Sequence, residues 1–230
     1  AGLRPTVREQ VLDVAAGAAH LGRALAGHVA HVCALDLTPE MLEQGRRLAD
    51  AAGVRNISFL LGDAVALPSH DEQFDLTVCR WTLHQVADPS SVVHEMVRVT
   101  RPGGRIGIID LAADDDPAVA EEANRIERLR DPSHGRTLTV NEMAALLVGA
   151  GARVVSTSAH DQPVDVEDWM ERTATPADVR ADVRARFDDE IHGGEPTGLR
   201  AHRDEDGNLT LTHQWAMTVA VRAATSSTSS

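Results

Sequence analysis

The chain has 230 residues, with 22 basic against 35 acidic side chains and a formal net charge of −13, which is enough length for one cored domain with a modest insertion and a balance that disfavours a phosphate-backbone partner. Aromatic residues make up only 3%, leaving little to stack nucleic-acid bases. Every basic residue is arginine and tyrosine is absent, which excludes a protein-lysine Schiff base, the lysine of a phosphate-binding P-loop and the tyrosine of short-chain dehydrogenases.

In chain order, Val11-Leu12-Asp13-Val14 is an apolar strand interrupted by a carboxylate just before a turn of small residues, Ala15-Ala16-Gly17-Ala18-Ala19, that leads into a helix. Val32-Cys33-Ala34-Leu35-Asp36 is a second apolar strand ending in another carboxylate. This is the sequence form of a nucleoside-binding βαβ unit, in which small side chains let the backbone approach a ligand and the second carboxylate meets a ribose. The dinucleotide pattern G-x-G-x-x-G is not met, because its three positions are Ala15, Gly17 and His20. A carboxylate before the turn sits badly beside a pyrophosphate and suits a ligand carrying an ammonium group and no phosphate. Asp13 is also expensive to bury without a partner.

Thr38 is placed to cap the next helix, with Pro39 at its first position and Met41 one turn in. Ile57 to Leu61 reads as a third strand leading into Gly62-Asp63-Ala64, and Phe74 to Arg80 as a fourth. Arg101-Pro102-Gly103-Gly104 turns the chain into the fifth, Arg105 to Asp110. Strands alternating with helices predict a parallel doubly wound α/β sheet. Such sheets bind ligands at the carboxyl ends of their strands, where Asp13, Asp36, Asp63, Arg80 and Asp110 fall.

Together these segments, over roughly residues 10 to 112, resemble the class I SAM-dependent methyltransferases, specifically the UbiE-like small-molecule group with a motif similar to D-V-A-T-G-A-G-H. The resemblance implies a Rossmann-like seven-stranded sheet with an antiparallel last strand, and S-adenosyl-L-methionine (SAM) as cofactor. It assigns Asp13, Ala15, Gly17, Asp36, Leu37, Met41, Gly62, Asp63, Ala64 and Arg80 to the cofactor, with the Arg80 carbonyl at the ammonium, Asp36 at the ribose, Met41 against the adenine face, and Asp63 with its neighbouring backbone at the adenine edge. His84, in Arg80-Trp81-Thr82-Leu83-His84-Gln85-Val86-Ala87-Asp88-Pro89, resembles the family pattern R-x-x-x-H-H-x-x-D-P and is the candidate base. Two positions depart from the family: Ala19 replaces a glycine, and Gln85 replaces the second histidine. His134 stands either in the acceptor pocket or in a surface loop, and Trp81 offers a π face or forms wall or core. Family members carry helices before the first strand. Ala1 to Pro5 therefore reads as the tail of such a helix, and the chain as a truncation lacking part of its lid.

Further along, Pro117 to Arg130 reads as a helix with Glu122, Arg125 and Arg128 on its polar side, and Val140 to Val148 as another, capped by Thr139. Arg153 to Ser158 is the expected sixth strand and Leu209 to Val221 the seventh. Residues 163–206 read as an acceptor-side insertion, largely helical from Val166 to Phe187, within a single domain of residues 1–224 followed by a disordered tail at 225–230. Cys33 and Cys79 lie in predicted buried strands without metal-ligand spacing, as core thiols of a reducing compartment. No metal motif, membrane-length apolar run or signal-peptide pattern is present, and the expected location is cytoplasmic. The sequence therefore points to in-line methyl transfer from SAM to a carbon, oxygen or nitrogen nucleophile of a small molecule, with neither nucleic acid nor membrane as partner. Ala19, Gln85 and the short amino terminus motivate an alternative, a SAM-binding protein without methyl-transfer activity. The glycine spacing gives a nicotinamide dehydrogenase poor support.

Overall fold

The computed structural model describes residues 2–224, and the expected disordered tail at 225–230 lies outside them. Its first half is β1 (Gln10–Val14), α1 (His20–Ala26), β2 (His31–Asp36), α2 (Pro39–Ala51), β3 (Ile57–Leu61), β4 (Phe74–Arg80), α3 (Pro89–Val99) and β5 (Thr100–Leu111). The second half is α4 (Pro117–Arg130), α5 (Val140–Gly149), β6 (Ala152–Asp165), α6 (Val166–Glu171), α7 (Ala177–Ile191), β7 (His202–Arg203) and β8 (Leu209–Arg222). The strands form one sheet in the order β3-β2-β1-β4-β5-β8-β6. β1 to β5 pair in parallel, and β8 enters antiparallel between β5 and β6. The seven expected strands are all present, and the two-residue β7 against β8 makes an eighth.

Successive residues of β1 feed opposite faces of the sheet. Leu12 and Val14 join a core with residues of α3 and α5, whereas Val11 joins Leu25 and Ala26 of α1 in a second core. Both faces are thus covered, which is why β4 is buried from Phe74 to Cys79, its polar Asp75 and Thr77 included. A third core is separate from these. Ile126 of α4, Trp169 and Met170 of α6, Val183 and Phe187 of α7, and Leu199 enclose the outer ends of β6 and β8. That cluster gives the insertion packing of its own.

Several local expectations are corrected. Residues 2–6 are irregular, not the tail of a helix: Leu3 packs into the second core, and the Arg105 guanidinium takes the carbonyls of Leu3 and Arg4 that a helix would have used. Thr38 stands at the N-cap of α2, yet its side chain makes no capping bond. Its N–H donates instead to Asp36 Oδ1 at 2.9 Å. Thr139 does cap α5, in a reciprocal capping box with Glu142. β5 begins at Thr100, and Arg101 to Gly104 bulge out between the pairs Phe74–Thr100 and Leu76–Arg105, with Gly103 at φ 75°. β6 overshoots the expected Ser158. β5 stops opposite Trp215, while β6 stays paired with β8 outward to Asp165–Thr210. Pro163 is tolerated there because β6 is the edge strand. Cys79 is buried, but Cys33 is only half-buried. Among the described residues no helix is long and apolar enough to cross a membrane.

Candidate active site

The turn after β1 is built from alternating left-handed residues. Ala15, Gly17 and Ala19 have φ of 50°, 55° and 54°, a region that costs an alanine about 1–2 kcal/mol. Hydrogen bonds hold the turn in place: Ala16 N–H donates to the Leu35 carbonyl at 2.8 Å, and Gly17 N–H to Asp36 Oδ2 at 2.7 Å. A side chain at Gly17 would stand 3.2 Å from the Met41 methyl group, so the backbone is bare where it faces Met41. The Ala19 methyl is fully buried and does not line the neighbouring cavity. Its departure from glycine is therefore felt as backbone strain and not as crowding of a ligand.

This turn forms one wall of a cavity of about 460 Å³. All ten residues that the resemblance assigns to the cofactor line it: Asp13, Ala15, Gly17, Asp36, Leu37, Met41, Gly62, Asp63, Ala64 and Arg80. Each follows from strand ends lying side by side, because parallel pairing in register brings Asp13, Asp36 and Arg80 to one edge of the sheet. Gly62 is required sterically, since an added Cβ would meet Leu35 Cδ1 at 2.9 Å and Pro68 at 3.0 Å. Asp63 is exposed and accepts the Val65 N–H at 3.0 Å in a tight turn.

Three carboxylates therefore face a cavity with one cation. Asp13 is only 1% exposed, and a single protein donor, Gly22 N–H at 2.8 Å, reaches Oδ2. A Cβ on Gly22 would approach that oxygen to 2.9 Å, so the glycine permits the contact. Burial pushes the Asp13 carboxyl up to about 7, against the opposing pull of the Gly22 bond and of Arg80. The Arg80 guanidinium lies 3.7 Å from the centroid of the Trp81 ring. Trp81 is 43% exposed and forms wall, not core. The set lacks the converging cations that a pyrophosphate asks for, and its three carboxylates suit a ligand with a diol and a positive charge.

His84 does not line this cavity, although Thr82, Gln85 and Val86 around it do. It is buried behind the wall, with Nδ1 2.5 Å from Asp110 Oδ1. Asp110 also accepts the N–H groups of Thr82, Leu83 and Leu111 at 3.2, 2.6 and 2.8 Å. A carboxylate so surrounded by donors takes the Nδ1–H of the imidazole and leaves Nε2 as the ring's acceptor. The His134 ring stacks on His84 at 5.7 Å between centroids. His134 is buried, not in a surface loop; its Nε2 donates to Asn124 Oδ1 at 2.9 Å, and burial holds its pKa below the usual imidazole value.

A second histidine–carboxylate pair escaped the sequence. Glu127 of α4 is buried between Arg130 and His213 of β8, and the Arg130 guanidinium lies 4.6 Å from the Trp169 ring centroid.

The family model described as a methyltransferase domain matches residues 12–108. YcgJ of Bacillus subtilis, an uncharacterized methyltransferase, is 35% identical over 169 residues, which span 74% of this chain and 67% of YcgJ. The crystal structure of the YcgJ protein superposes with a TM-score of 0.87 at 27% identity, covering 96% of this chain and 94% of that one. A demethylmenaquinone methyltransferase of Clavibacter sepedonicus is 35% identical over 140 residues, 61% of this chain and 56% of the relative.

Proposed function

Because this chain belongs to the SAM-dependent methyltransferases, through its methyltransferase domain and its likeness to YcgJ, we propose that it methylates a small-molecule nucleophile by in-line displacement, with SAM held across the carboxyl ends of β1, β2 and β4. The observation that carries this reading is the cavity in which Asp13, Asp36 and Asp63 converge on a bare, glycine-bearing turn. The residues fit the cofactor. Asp36 has lone pairs left for a ribose diol after taking Gly17 N–H and Thr38 N–H. Asp13 and the Arg80 carbonyl face the ammonium, with Ala15 and Gly17 presenting backbone. Leu37 borders the ribose, while Met41, Gly62, Asp63 and Ala64 border the adenine. When bound, SAM supplies an electrophilic methyl group on a sulfonium.

The chain's own task is to exclude water and align the acceptor, with reacting atoms about 3–3.5 Å apart. A nucleophile that arrives protonated needs a base, and His84 Nε2 is our choice, with the ring held by Asp110. Gln85 and Val86 beside it line the large cavity, and Leu111 beside Asp110 lines a second one. The acceptor is a small molecule and not a nucleic acid, on the strength of the −13 net charge. A reducing compartment, the cytoplasm, suits two free cysteines whose thiols burial holds above their usual pKa.

Calorimetric titration with SAM, S-adenosylhomocysteine and NAD tests the cofactor site. Micromolar binding of the first two, weakened by about 1–3 kcal/mol in Asp36→Ala, is the expected result; NAD binding, or an indifferent mutant, would overturn it. One observation favours the second reading, a SAM-binding protein without transfer: His84 stands behind the cavity wall. Tight S-adenosylhomocysteine binding with no methylated product from any acceptor tried is the result that reading expects.

A further inference from the structure

A second cavity opens on the same edge of the sheet, one strand beyond the cofactor cavity. Trp81, on the cofactor wall, donates its N–H to the Ile109 carbonyl of β5 at 2.8 Å. Two residues further along, Leu111 lines the second cavity, and Ala112 N–H donates to the Gln214 carbonyl of β8 at 2.8 Å. The cavity measures about 30 Å³, room for a single polar group and not for a whole acceptor. Leu111, Ala112, Ala123 and Leu199 give it apolar walls, and Glu127 and His213 stand among its polar residues with Thr137, Thr212 and Gln214. Gly198 closes one side at φ 74°, where a Cβ would stand 2.8 Å from the Val119 carbonyl.

The hydrogen bonds fix which atoms are free. Glu127 is 2% exposed, and burial alone would raise its pKa, but the hydrogen bond from His213 and the charge of Arg130 outweigh burial and hold it down to about 2. An ionised carboxylate only accepts, so His213 Nε2, at 3.1 Å, is the donor. In the neutral ring Nδ1 is then a bare lone pair, and it has no hydrogen-bond partner among the described residues. Arg130 does not line the recess. Its Nε and Nη2 serve Glu127 at 3.0 and 2.9 Å, its Nη1 serves the Trp169 carbonyl at 3.2 Å, and its plane lies over the indole. The recess thus offers the His213 Nδ1 lone pair beside a neutralised carboxylate, and no arginine side chain lines it.

We propose that this recess is a hydroxyl subsite for the methyl acceptor, in which His213 Nδ1 accepts a hydrogen bond from a hydroxyl on an otherwise apolar ligand. Glu127 is the positioning residue, fixing the tautomer and plane of His213. The recess rejects carboxylates and phosphates, for which it has no cation. The word acceptor rests on the methyl-transfer reading above; the subsite itself does not.

The test uses the full chain with and without S-adenosylhomocysteine, and four ligands that share a ring and differ in one group: phenol, benzylamine, benzoate and toluene. Nitrogen-15 spectra of labelled histidine report the His213 ring directly. Phenol is expected to shift the His213 Nδ1 signal and to bind at least tenfold more tightly than the other three. His213→Phe, and His213→Gln should that variant not fold, are expected to remove the preference while leaving S-adenosylhomocysteine affinity within twofold. Glu127→Gln is expected to redistribute the His213 tautomers, a change that a merely structural role would not produce. Equal binding of phenol and toluene, a silent His213 signal, or a preference for benzoate or benzylamine overturns the subsite. If phenol behaves as expected but S-adenosylhomocysteine does not bind, the methyl-transfer reading fails and the subsite stands. The reverse pattern removes the subsite alone.

Discussion

Asp13 and Glu127 are equally hidden, at 1% and 2% exposure, yet their surroundings drive them in opposite directions. Asp13, in the parallel half of the sheet, has one backbone donor and a carboxyl pushed up to about 7 by burial. Glu127, in the antiparallel half, has Arg130 and His213 within 3.1 Å, and these outweigh burial to hold it down to about 2. The contrast distinguishes two uses of a buried charge. A carboxylate that the protein leaves short of cations is prepared for a cationic ligand, whereas one whose charge is already neutralised holds a neighbour in place.

The largest effect that would sharpen this contrast is on stability. Glu127→Ala strands a buried guanidinium and should cost about 3–5 kcal/mol, read from urea unfolding, whereas Asp13→Asn should raise stability at pH 8, where it removes a buried and poorly compensated charge. An equal loss at both sites would abolish the distinction. The pH dependence has opposite signs at the two positions. The stabilising contribution of Glu127 is present above the unfolded pKa of 4.5 and is lost as pH falls toward about 2. That of Asp13 is present below 3.8 and is lost as pH rises through about 7. Unfolding curves of wild type and Asp13→Asn should therefore converge as the solution is acidified from pH 8 to pH 4.

Ligand binding carries the next effect. If Asp13 serves an ammonium, S-adenosylhomocysteine must displace a proton below pH 7, and affinity should fall by up to tenfold per pH unit, about 1.4 kcal/mol. Calorimetry at pH 5.5, 6.5 and 7.5 measures that slope, and Asp13→Asn should flatten it. A wild-type affinity independent of pH would separate Asp13 from the ligand. The smallest effect belongs to the turn. Ala19→Gly relieves about 1–2 kcal/mol of left-handed strain but adds about 0.4–1 kcal/mol of unfolded-state entropy. The expected net is a gain of at most about 1.6 kcal/mol, seen as a raised melting temperature; a clear loss would show that the buried methyl group matters more for packing than for strain.

The same division separates what the sequence made legible from what it did not. The residues that line the large cavity could be picked out because each belongs to a short contiguous signature, such as Asp13 to Ala19 or Gly62 to Ala64, and parallel pairing then brings them together. The Glu127–His213 pair lies 86 residues apart and forms only because β8 passes beside α4. Nothing local in either segment announces it. The outward run of β6 was hidden for another reason: from Ala159 to Gln162 every residue is exposed, so the strand carries no alternation of apolar and polar positions to read. His84 was recognised by its motif, but its place behind the wall depends on the backbone donors converging on Asp110.

The long β6–β8 pairing has an evolutionary consequence. One long pair of strands, with a single register shift between Val154 and Ser156, serves the main sheet at its inner end and the third core at its outer end. Moving one strand by a single residue would turn every side chain to the opposite face along its whole length. Descendants of this chain are therefore free to rewrite the sequence between Val166 and Asn208, and to lengthen or shorten it, but a deletion within either strand would damage both cores at once. Variation in what the protein recognises should accumulate as changes in the segment that the strands carry, while the number of residues in the strands stays fixed.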